Sequence, residues 1–157
     1  MVLRSGPKVK CIEFGLRRAQ GPNGALTATK YSYLGGFVGT SNVLGGKLYN
    51  IPISGTIAHS FIMAFEDHLP PKIEFCGKDL IKELLEIREE LGFTKTKLSE
   101  LYSYAGFMAS NTDNFICLGD TFDSIHSGTK NFLICAVFLE RHGKKAKGIR
   151  LDSGDLA

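Results

Sequence analysis

Hydrophobic and polar positions along the chain follow two patterns, one with the period of a helix and one typical of short strands. The clearest helix lies between residues 80 and 91, where apolar side chains recur every three or four positions and charged residues fill the opposite side. Gly92 follows, and glycine commonly ends a helix because it adopts the left-handed conformation without strain. The same spacing predicts helices ending near residue 34 and covering residues 40–48, 56–65, 98–105 and 128–142, the last capped by Ser127.

Short apolar segments predict four strands, at residues 8–14, 51–54, 114–118 and 147–151. Predicted helices separate them, which favours parallel pairing through right-handed crossovers and therefore an α/β sheet or barrel. Pro52 weakens the second strand because proline lacks the N–H that a central strand donates. Since a barrel needs about eight strands, we expect residues 1–157 to be a fragment or truncated product of a longer α/β chain. Residues 66–78, with two adjacent prolines, are predicted to be an exposed loop or insertion.

Composition is compatible with a folded core and excludes several classes of protein. The 157 residues are 43% hydrophobic, and 18 glycines with 5 prolines are too few for a low-complexity or collagen-like chain. The N-terminal segment lacks the apolar core of a signal peptide. Residues 48–65 are uncharged, but they contain too many polar groups for a membrane span. We therefore expect no membrane segment.

Charge and cysteine spacing exclude two further kinds of partner. The net charge is only +3 and both signs are interspersed, which does not indicate a nucleic-acid-binding protein. The four cysteines lie far apart in the sequence, with no C-x-x-C pair to hold zinc or a redox couple. Reduced thiols and a cytosolic location are the simplest interpretation.

Polar residues follow each predicted strand, where parallel α/β folds bind their ligands. Arginine suits phosphate or carboxylate because its planar fork donates two parallel hydrogen bonds, and carboxylates suit sugar hydroxyls and Mg²⁺. Together these loops predict a phosphorylated, metal-bound substrate. In chain order the loop residues are Arg17 and Arg18, then Thr56 and His59, then Asp120 and Thr121, and finally Asp152, Ser153 and Asp155.

Each candidate also has a simpler structural interpretation. Arg17 can be a solvated surface charge, and His59 can be a core histidine, although its spacing from Thr56 places both on one face of the predicted helix near its N-terminus. Asp120 and Asp152 can be helix caps. The aromatic residues Phe14, Tyr31 and Tyr33 can belong to the core. The sequence contains no P-loop, no Rossmann G-x-G-x-x-G and no hydrolase G-x-S-x-G.

Several longer motifs resemble the nicotinate phosphoribosyltransferase family. They are EFGLRRAQGP at residues 13–22, YSYLGGF at 31–37, GTSNV at 39–43, SGTIAHSF at 54–61 and RLDSGDL at 150–156. The motifs stand in the family's order, and the resemblance runs from about residue 6 to the end, covering the middle of the family's chain. It implies a parallel, TIM-like barrel of the type II phosphoribosyltransferases, incomplete in this chain.

The resemblance also implies a reaction. Members of the family join nicotinate to phosphoribosyl pyrophosphate in NAD biosynthesis, giving nicotinate mononucleotide and pyrophosphate, with ATP hydrolysis coupled to the transfer. The histidine of the matching motif, here His59, is phosphorylated by ATP in that family. Mg²⁺ or Mn²⁺ is expected to bind through substrate phosphates rather than through identified side chains. The full-length form is expected to be a cytosolic homodimer.

Residue roles follow from the same match. Phe14 resembles the ring that stacks on the pyridine, and Arg17 a phosphate contact. Thr56 and Arg150 match nicotinate contacts, with Arg150 pairing with its carboxylate. Ser41 stands where nicotinamide-using relatives have an aspartate, which would repel nicotinate. Asp120, Asp152 and Asp155 are expected to face the sugar and metal, the first two with catalytic roles. Ser153 is expected to bind substrate.

Two alternatives remain open at this point. One is the nicotinamide-using relative, against which Ser41 and residues 16–22 count. The other is a non-catalytic truncated form, because in the family the partner's N-terminal domain supplies an aromatic residue to the nicotinate site. On that ground we expect the isolated chain to be inactive. The chain also has Val38 where the family often has an acidic residue, which is expected to change a local hydrogen bond.

Overall fold

The computed structural model describes residues 2–66 and 72–154, which belong to two compact units. The first unit ends at Gly55 and the second begins at Thr56. A short 3₁₀ turn, Leu16–Arg18, lies in the first unit. The other elements of the first unit are α1 (Val2–Ser5), β1 (Ile12–Glu13), α2 (Gly24–Leu34), β2 (Gly39–Thr40) and α3 (Val43–Tyr49).

The sheet of the first unit corrects the prediction of a helix from residue 40. Strand β2 pairs parallel with β1, with Glu13 opposite Thr40. Ile53 forms a further parallel bridge to Thr40, so the backbone of Thr40 has strand partners on both sides and cannot begin a helix. Helix α3 begins only after Asn42, whose side chain accepts a hydrogen bond from Gly45 N at 3.1 Å, as an N-cap residue does.

Burial in the first unit is largely polar. Among its described residues, Ile51 is the one large apolar side chain that is buried. The polar side chains of Glu13, Thr29, Thr40 and Asn42 are as deeply buried. Phe14, Tyr31 and Tyr33 are 46%, 62% and 41% exposed, so their assignment to the core was wrong. For Tyr31 and Tyr33, the position in the helix could not show their exposure, because exposure depends on which face of α2 packs against another element.

The described residues of the second unit form a hairpin, a parallel strand pair and four α-helices. Strands β3 and β4 form an antiparallel hairpin inside the segment predicted as a loop, of which residues 67–71 lie outside the described part. The elements are α4 (His59–Met63), β3 (Glu74–Phe75), β4 (Lys78–Asp79), α5 (Leu80–Glu90), α6 (Leu98–Ser110), β5 (Ile116–Leu118), α7 (Thr129–Arg141) and β6 (Gly148–Arg150).

The hydrophobic core lies in the second unit, among α5, α6, α7 and β5. The apolar stripe of α5 is buried at Leu80, Leu84 and Ile87, as its spacing predicts. Gly92 follows with φ +69°, the left-handed conformation expected at a helix end. Tyr104 of α6 is fully buried and donates its hydroxyl hydrogen to the Leu118 carbonyl at 2.6 Å. Burial also raises the pKa of this phenol far above its ordinary value, so the hydroxyl keeps the hydrogen that it donates.

The strands predicted at residues 114–118 and 147–151 are both present, pair in parallel as expected, and are shorter than predicted. Strand β5 pairs parallel with β6, with Leu118 opposite Arg150. All three sheets among the described residues are two-stranded. The α/β class with parallel pairs is therefore observed, whereas closure into a barrel stays a prediction. No helix within residues 2–66 and 72–154 is long and apolar enough to cross a membrane.

A π-helical turn, Ser124–Gly128, precedes α7 and corrects the predicted cap. Asp123 caps this turn by accepting from the N–H groups of residues 125 and 126. Ser127 instead donates its hydroxyl hydrogen to the buried carboxylate of Glu100 at 2.5 Å. Asn131 donates to the same carboxylate oxygen at 2.9 Å. Burial raises the pKa of Glu100, and these hydrogen bonds offset part of that rise.

The turn also packs directly on the end of β5. A Cβ added to Gly128 would overlap the carbonyl oxygen of Gly119, and a Cβ added to Gly119 would overlap the side chain of Ile149. The backbones of turn and strand are therefore in contact, and this contact requires glycine. Because Asp120 follows Gly119, the contact also fixes where that aspartate leaves the sheet.

The replacement Gly128→Ala is expected to destabilise the protein, because the overlapped atom is backbone and cannot rotate away. The expected loss is about 1–3 kcal/mol of unfolding free energy, as for other overpacked positions, and urea denaturation measures it. Gly148→Ala is the matched control, because a Cβ there meets nothing within 4 Å. Equal stabilities of the two variants would contradict the proposed backbone contact.

Candidate active site

Histidine 59 is the first residue of α4, and its position corrects one prediction. The preceding Ala58 is extended, with φ −102° and ψ +158°. Thr56 therefore lies before the helix, and the prediction that both residues share one helical face is wrong. The Thr56 hydroxyl instead lies 3.3 Å from the carbonyl oxygen of Ile57 and donates to it. The predicted helix over residues 56–65 shortens to five residues because only residues from 59 onward have helical backbone.

The imidazole of His59 has a polar group on each side. Its Nδ1 lies 3.1 Å from Thr121 Oγ1, and its Nε2 lies 3.6 Å from Asp152 Oδ2. The side chain is 35% exposed, so the interpretation as a core histidine was wrong. A ring held by one nitrogen and accessible from solvent can serve as a base or a nucleophile.

The contact between Thr121 and His59 was not anticipated, although a signal existed in the sequence. Thr121 follows β5 directly, in the same loop as Asp120, and a hydroxyl at a strand end is a candidate partner for any side chain of that site. Sequence spacing could not pair the two residues, because they are 62 positions apart.

Asp120 joins the loops that follow β5 and β6. Its Oδ2 accepts three hydrogen bonds, from Asp152 N at 2.7 Å, Ser153 N at 2.7 Å and Ser153 Oγ at 2.6 Å. Burial by itself raises the pKa of Asp120, but these hydrogen bonds and the nearby His59 outweigh it and hold the pKa below 3.8. Asp120 Oδ1 is buried and accepts no hydrogen bond from the described residues. Asp120 is thus a connection between loops rather than a helix cap.

Arg150 lies at the end of β6 and extends the same cluster. Its Nη1 donates to Asp152 Oδ1 at 2.9 Å, and its Nη2 donates to the Ile57 carbonyl at 3.1 Å. The Ile57 carbonyl is the acceptor that Thr56 also uses. Asp152 thus faces His59 with one oxygen and Arg150 with the other, so it is not a helix cap either. We call the group formed by Thr56, His59, Asp120, Thr121, Arg150, Asp152 and Ser153 the histidine cluster.

The other predicted site residues lie in the first unit or outside the described part. Phe14 exposes nearly half of its side chain. Arg17 is exposed in the 3₁₀ turn. Ser41 is partly buried, and its N–H donates to the Glu13 carbonyl at 2.9 Å. Asp155 lies outside the described residues.

The part of the chain that the structure describes contains neither a metal-binding cluster nor a disulfide. Within residues 2–66 and 72–154, no group of three or more His, Cys, Asp or Glu side chains is arranged to hold a metal ion. All four cysteines are free thiols. Burial raises the pKa of the buried Cys117 and Cys135 thiols, which keeps them protonated and weakly reactive.

Comparison with known proteins identifies the family. A family profile described as "Nicotinate phosphoribosyltransferase (NAPRTase) family" matches residues 9–157. The chain belongs to the nicotinate phosphoribosyltransferase family. The resemblance seen in the sequence motifs is thereby confirmed over almost the whole chain.

Individual members of the nicotinate phosphoribosyltransferase family agree with the profile. The chain is 46% identical to the Dictyostelium discoideum nicotinate phosphoribosyltransferase, over 99% of this chain and 27% of that protein. It is 42% identical to the Caenorhabditis elegans protein of the same name, over 98% of this chain and 30% of the relative. The chain therefore spans less than a third of the length of these relatives.

A solved structure shows the same fold. The crystal structure of human nicotinic acid phosphoribosyltransferase matches with a TM-score of 0.82 and 40% identity, covering 98% of this chain and 34% of the human chain. The arrangement of helices and parallel strand pairs is therefore that of the nicotinate phosphoribosyltransferase family.

The low pKa of Asp120 predicts a pH-dependent contribution to stability. The ionised carboxylate stabilises the folded chain above pH 3.8, and this contribution is lost as pH falls through the lower folded-state pKa. The replacement Asp120→Asn is expected to lower Tm by a few degrees at neutral pH, and the difference from wild type should shrink below pH 3.8.

Asp113→Asn is the control for this measurement. Asp113 also accepts a charged hydrogen bond, from Lys144 at 2.7 Å, but its side chain is 88% exposed, so solvent screens the pair. Its Tm is expected to stay close to wild type at neutral pH. A Tm difference for Asp120→Asn that stays constant down to pH 3 would contradict the loop connection.

Proposed function

We propose that the protein acts as a nicotinate phosphoribosyltransferase in NAD biosynthesis from nicotinate. The reaction joins nicotinate to phosphoribosyl pyrophosphate, releasing pyrophosphate and forming nicotinate mononucleotide, while ATP is hydrolysed to ADP and phosphate. The observation that carries the proposal is the placement of His59 between Thr121 and Asp152 in a chain that belongs to this family. We further propose a cytosolic homodimer as the active form.

His59 is proposed to accept a phosphoryl group from ATP. When the Thr121 hydroxyl accepts from Nδ1–H, the lone pair remains on Nε2, which is the nucleophilic nitrogen of that tautomer. A bond forms between Nε2 and the γ-phosphorus, the bond to the bridging oxygen breaks, and ADP leaves with its electron pair. Water later attacks the phosphorus and releases phosphate, restoring the neutral ring.

The acidic residues of the histidine cluster are proposed to face the sugar. Asp120 offers the buried Oδ1, which has a lone pair directed at no described donor, as an acceptor for a ribose hydroxyl or a cation. Asp152 and Ser153 belong to the loop that hydrogen-bonds Asp120, and the family match adds Asp155 as a further proposed sugar contact. Negative charge here would stabilise the positive charge that develops on the sugar carbon as pyrophosphate departs.

The carboxylates of the histidine cluster could supply part of the ligand set of a divalent ion. Carboxylate oxygens are the ligands that Mg²⁺ or Mn²⁺ prefers, and such ions often bind through one or two carboxylates plus substrate phosphates. Asp120 and Asp152 are the residues that would contact the ion, directly or through water. When bound, the ion would neutralise the pyrophosphate leaving group.

The nicotinate contacts are proposed from the match to the family's motifs. Arg150 pairs with its carboxylate and exchanges the contact to Asp152 for one to the ligand, with Thr56 beside it. Phe14 stacks on the pyridine, Ser41 tolerates the carboxylate, and Arg17 contacts a phosphate.

The direct test is formation of nicotinate mononucleotide by the purified full-length form, the wild type of every activity assay below, supplied with nicotinate, phosphoribosyl pyrophosphate, Mg²⁺ and ATP. The isolated chain is expected to stay inactive in the same assay. Transfer of radiolabel from the γ-phosphate of ATP to the protein measures the phosphohistidine. The replacement His59→Asn is expected to abolish labelling and to reduce the rate to the value measured without ATP, because the nucleophile is gone.

His126→Asn is the matched control, because His126 is also a second-unit histidine, but its side chain is 75% exposed and its ring contacts Asp123. It should keep both labelling and ATP stimulation. No nicotinate mononucleotide from the wild type would overturn the proposed function, and persistent labelling of His59→Asn would remove His59 from its role.

The base preference is expected to depend on Ser41. The replacement Ser41→Asp adds a negative charge at the predicted nicotinate contact, and the repulsion should raise the KM for nicotinate by about tenfold or more. Nicotinamide, which is uncharged and can donate from its amide, should bind better than before. Thr27→Asp adds the same charge at an exposed position on α2 and should leave both KM values unchanged. Unaltered base preference of Ser41→Asp would contradict the assignment.

A further inference from the structure

A buried carboxylate in the first unit has no role in the function proposed so far. Glu13 is the last residue of β1 and is only 7% exposed. Its Oε1 accepts from the N–H of Gly15. Its Oε2 accepts from Thr29 Oγ1 at 3.0 Å and from Thr40 Oγ1 at 2.6 Å. Three donors thus converge on one side chain, which is the demand that an ionised carboxylate satisfies.

A second layer of hydrogen bonds fixes the direction of the first. The Thr40 hydroxyl accepts from Asn42 N at 3.0 Å, and the Thr29 hydroxyl accepts from Asn42 Nδ2 at 3.1 Å. Because each hydroxyl accepts from Asn42, each uses its own hydrogen toward Glu13. A neutral amide at position 13 would direct an N–H₂ at one of these donors, so the network depends on the charge of Glu13 and not only on its shape.

The partners of Glu13 flank the two residues that are expected to contact the base. Gly15 follows Phe14, and Thr40 precedes Ser41. The backbone of Glu13 adds a third connection, since its carbonyl accepts from Ser41 N at 2.9 Å. Phe14 itself is nearly half exposed. One carboxylate therefore connects the segment that carries the stacking ring to the strand end that carries the base contact.

We propose that Glu13 is a positioning residue that sets the orientation of Phe14 relative to Ser41 and thereby the affinity for the pyridine base, an inference that rests on the proposed function. A purely structural carboxylate would gain nothing from this placement, since burying a charge is costly and an apolar group of similar volume often stabilises as well. The role predicted for Glu13 concerns nicotinate and not phosphoribosyl pyrophosphate.

The test compares Glu13→Gln with Thr29→Val in the purified protein. Both variants disturb the same carboxylate, but Thr29 is adjacent to neither Phe14 nor Ser41. Glu13→Gln is expected to raise the KM for nicotinate by about tenfold, with the KM for phosphoribosyl pyrophosphate within about twofold of wild type. Thr29→Val is expected to lower Tm comparably and to leave the KM for nicotinate within about twofold. Equal changes in the two KM values, or the same nicotinate effect in both variants, would overturn the proposal.

Amide hydrogen exchange separates this inference from the proposed function. Loss of the Glu13 carboxylate should speed exchange at the amides of Gly15 and Ser41 by about tenfold, while Thr29→Val should leave both protected. If the wild type forms no nicotinate mononucleotide, the proposed function fails, and the exchange rates still decide whether Glu13 holds these two segments. Unchanged protection in Glu13→Gln would overturn the positioning role regardless of activity.

Discussion

The three hydrogen bonds that converge on Asp120 Oδ2 are the interaction on which the histidine cluster depends. They connect the loop after β5 to the loop after β6, two segments that are far apart in sequence and become neighbours only through parallel pairing. This connection places Asp152, and Asp152 in turn faces both His59 and Arg150. Without the charge on Asp120, the second loop would lose the hydrogen bonds that hold residues 152 and 153 to the first loop.

Buried carboxylates also connect separate segments elsewhere in the chain. Glu100 holds the π-helical turn through Ser127 and Asn131, and Glu13 connects strand ends in the first unit. Each such group is expensive to bury and is compensated only when its donors are complete. The apolar core of the second unit provides stability, whereas these polar networks decide where loop side chains lie.

Sequence reasoning succeeded where a local pattern decides the outcome. The apolar stripe of α5 and the glycine that ends this helix are determined by residues close in sequence, and so are the polar residues after each strand. It failed where a distant partner decides: Thr40 is a strand residue because backbone on both sides pairs with it, and Phe14 is exposed although it is apolar. Motif resemblance named His59 and Asp152 but could not pair His59 with Thr121, since hydrogen bonds between loops have no signature in spacing.

The contact between Gly128 and Gly119 has a consequence for how a ligand meets the site. Because the two backbones touch without side chains between them, the end of the strand has no room to shift. Asp120 is therefore held with the sheet rather than with its loop. A rigid carboxylate pays no ordering entropy when it is engaged. If a ligand binds as proposed, it would meet this carboxylate already in place, and any adjustment would fall to the ligand and to the exposed side chains around it.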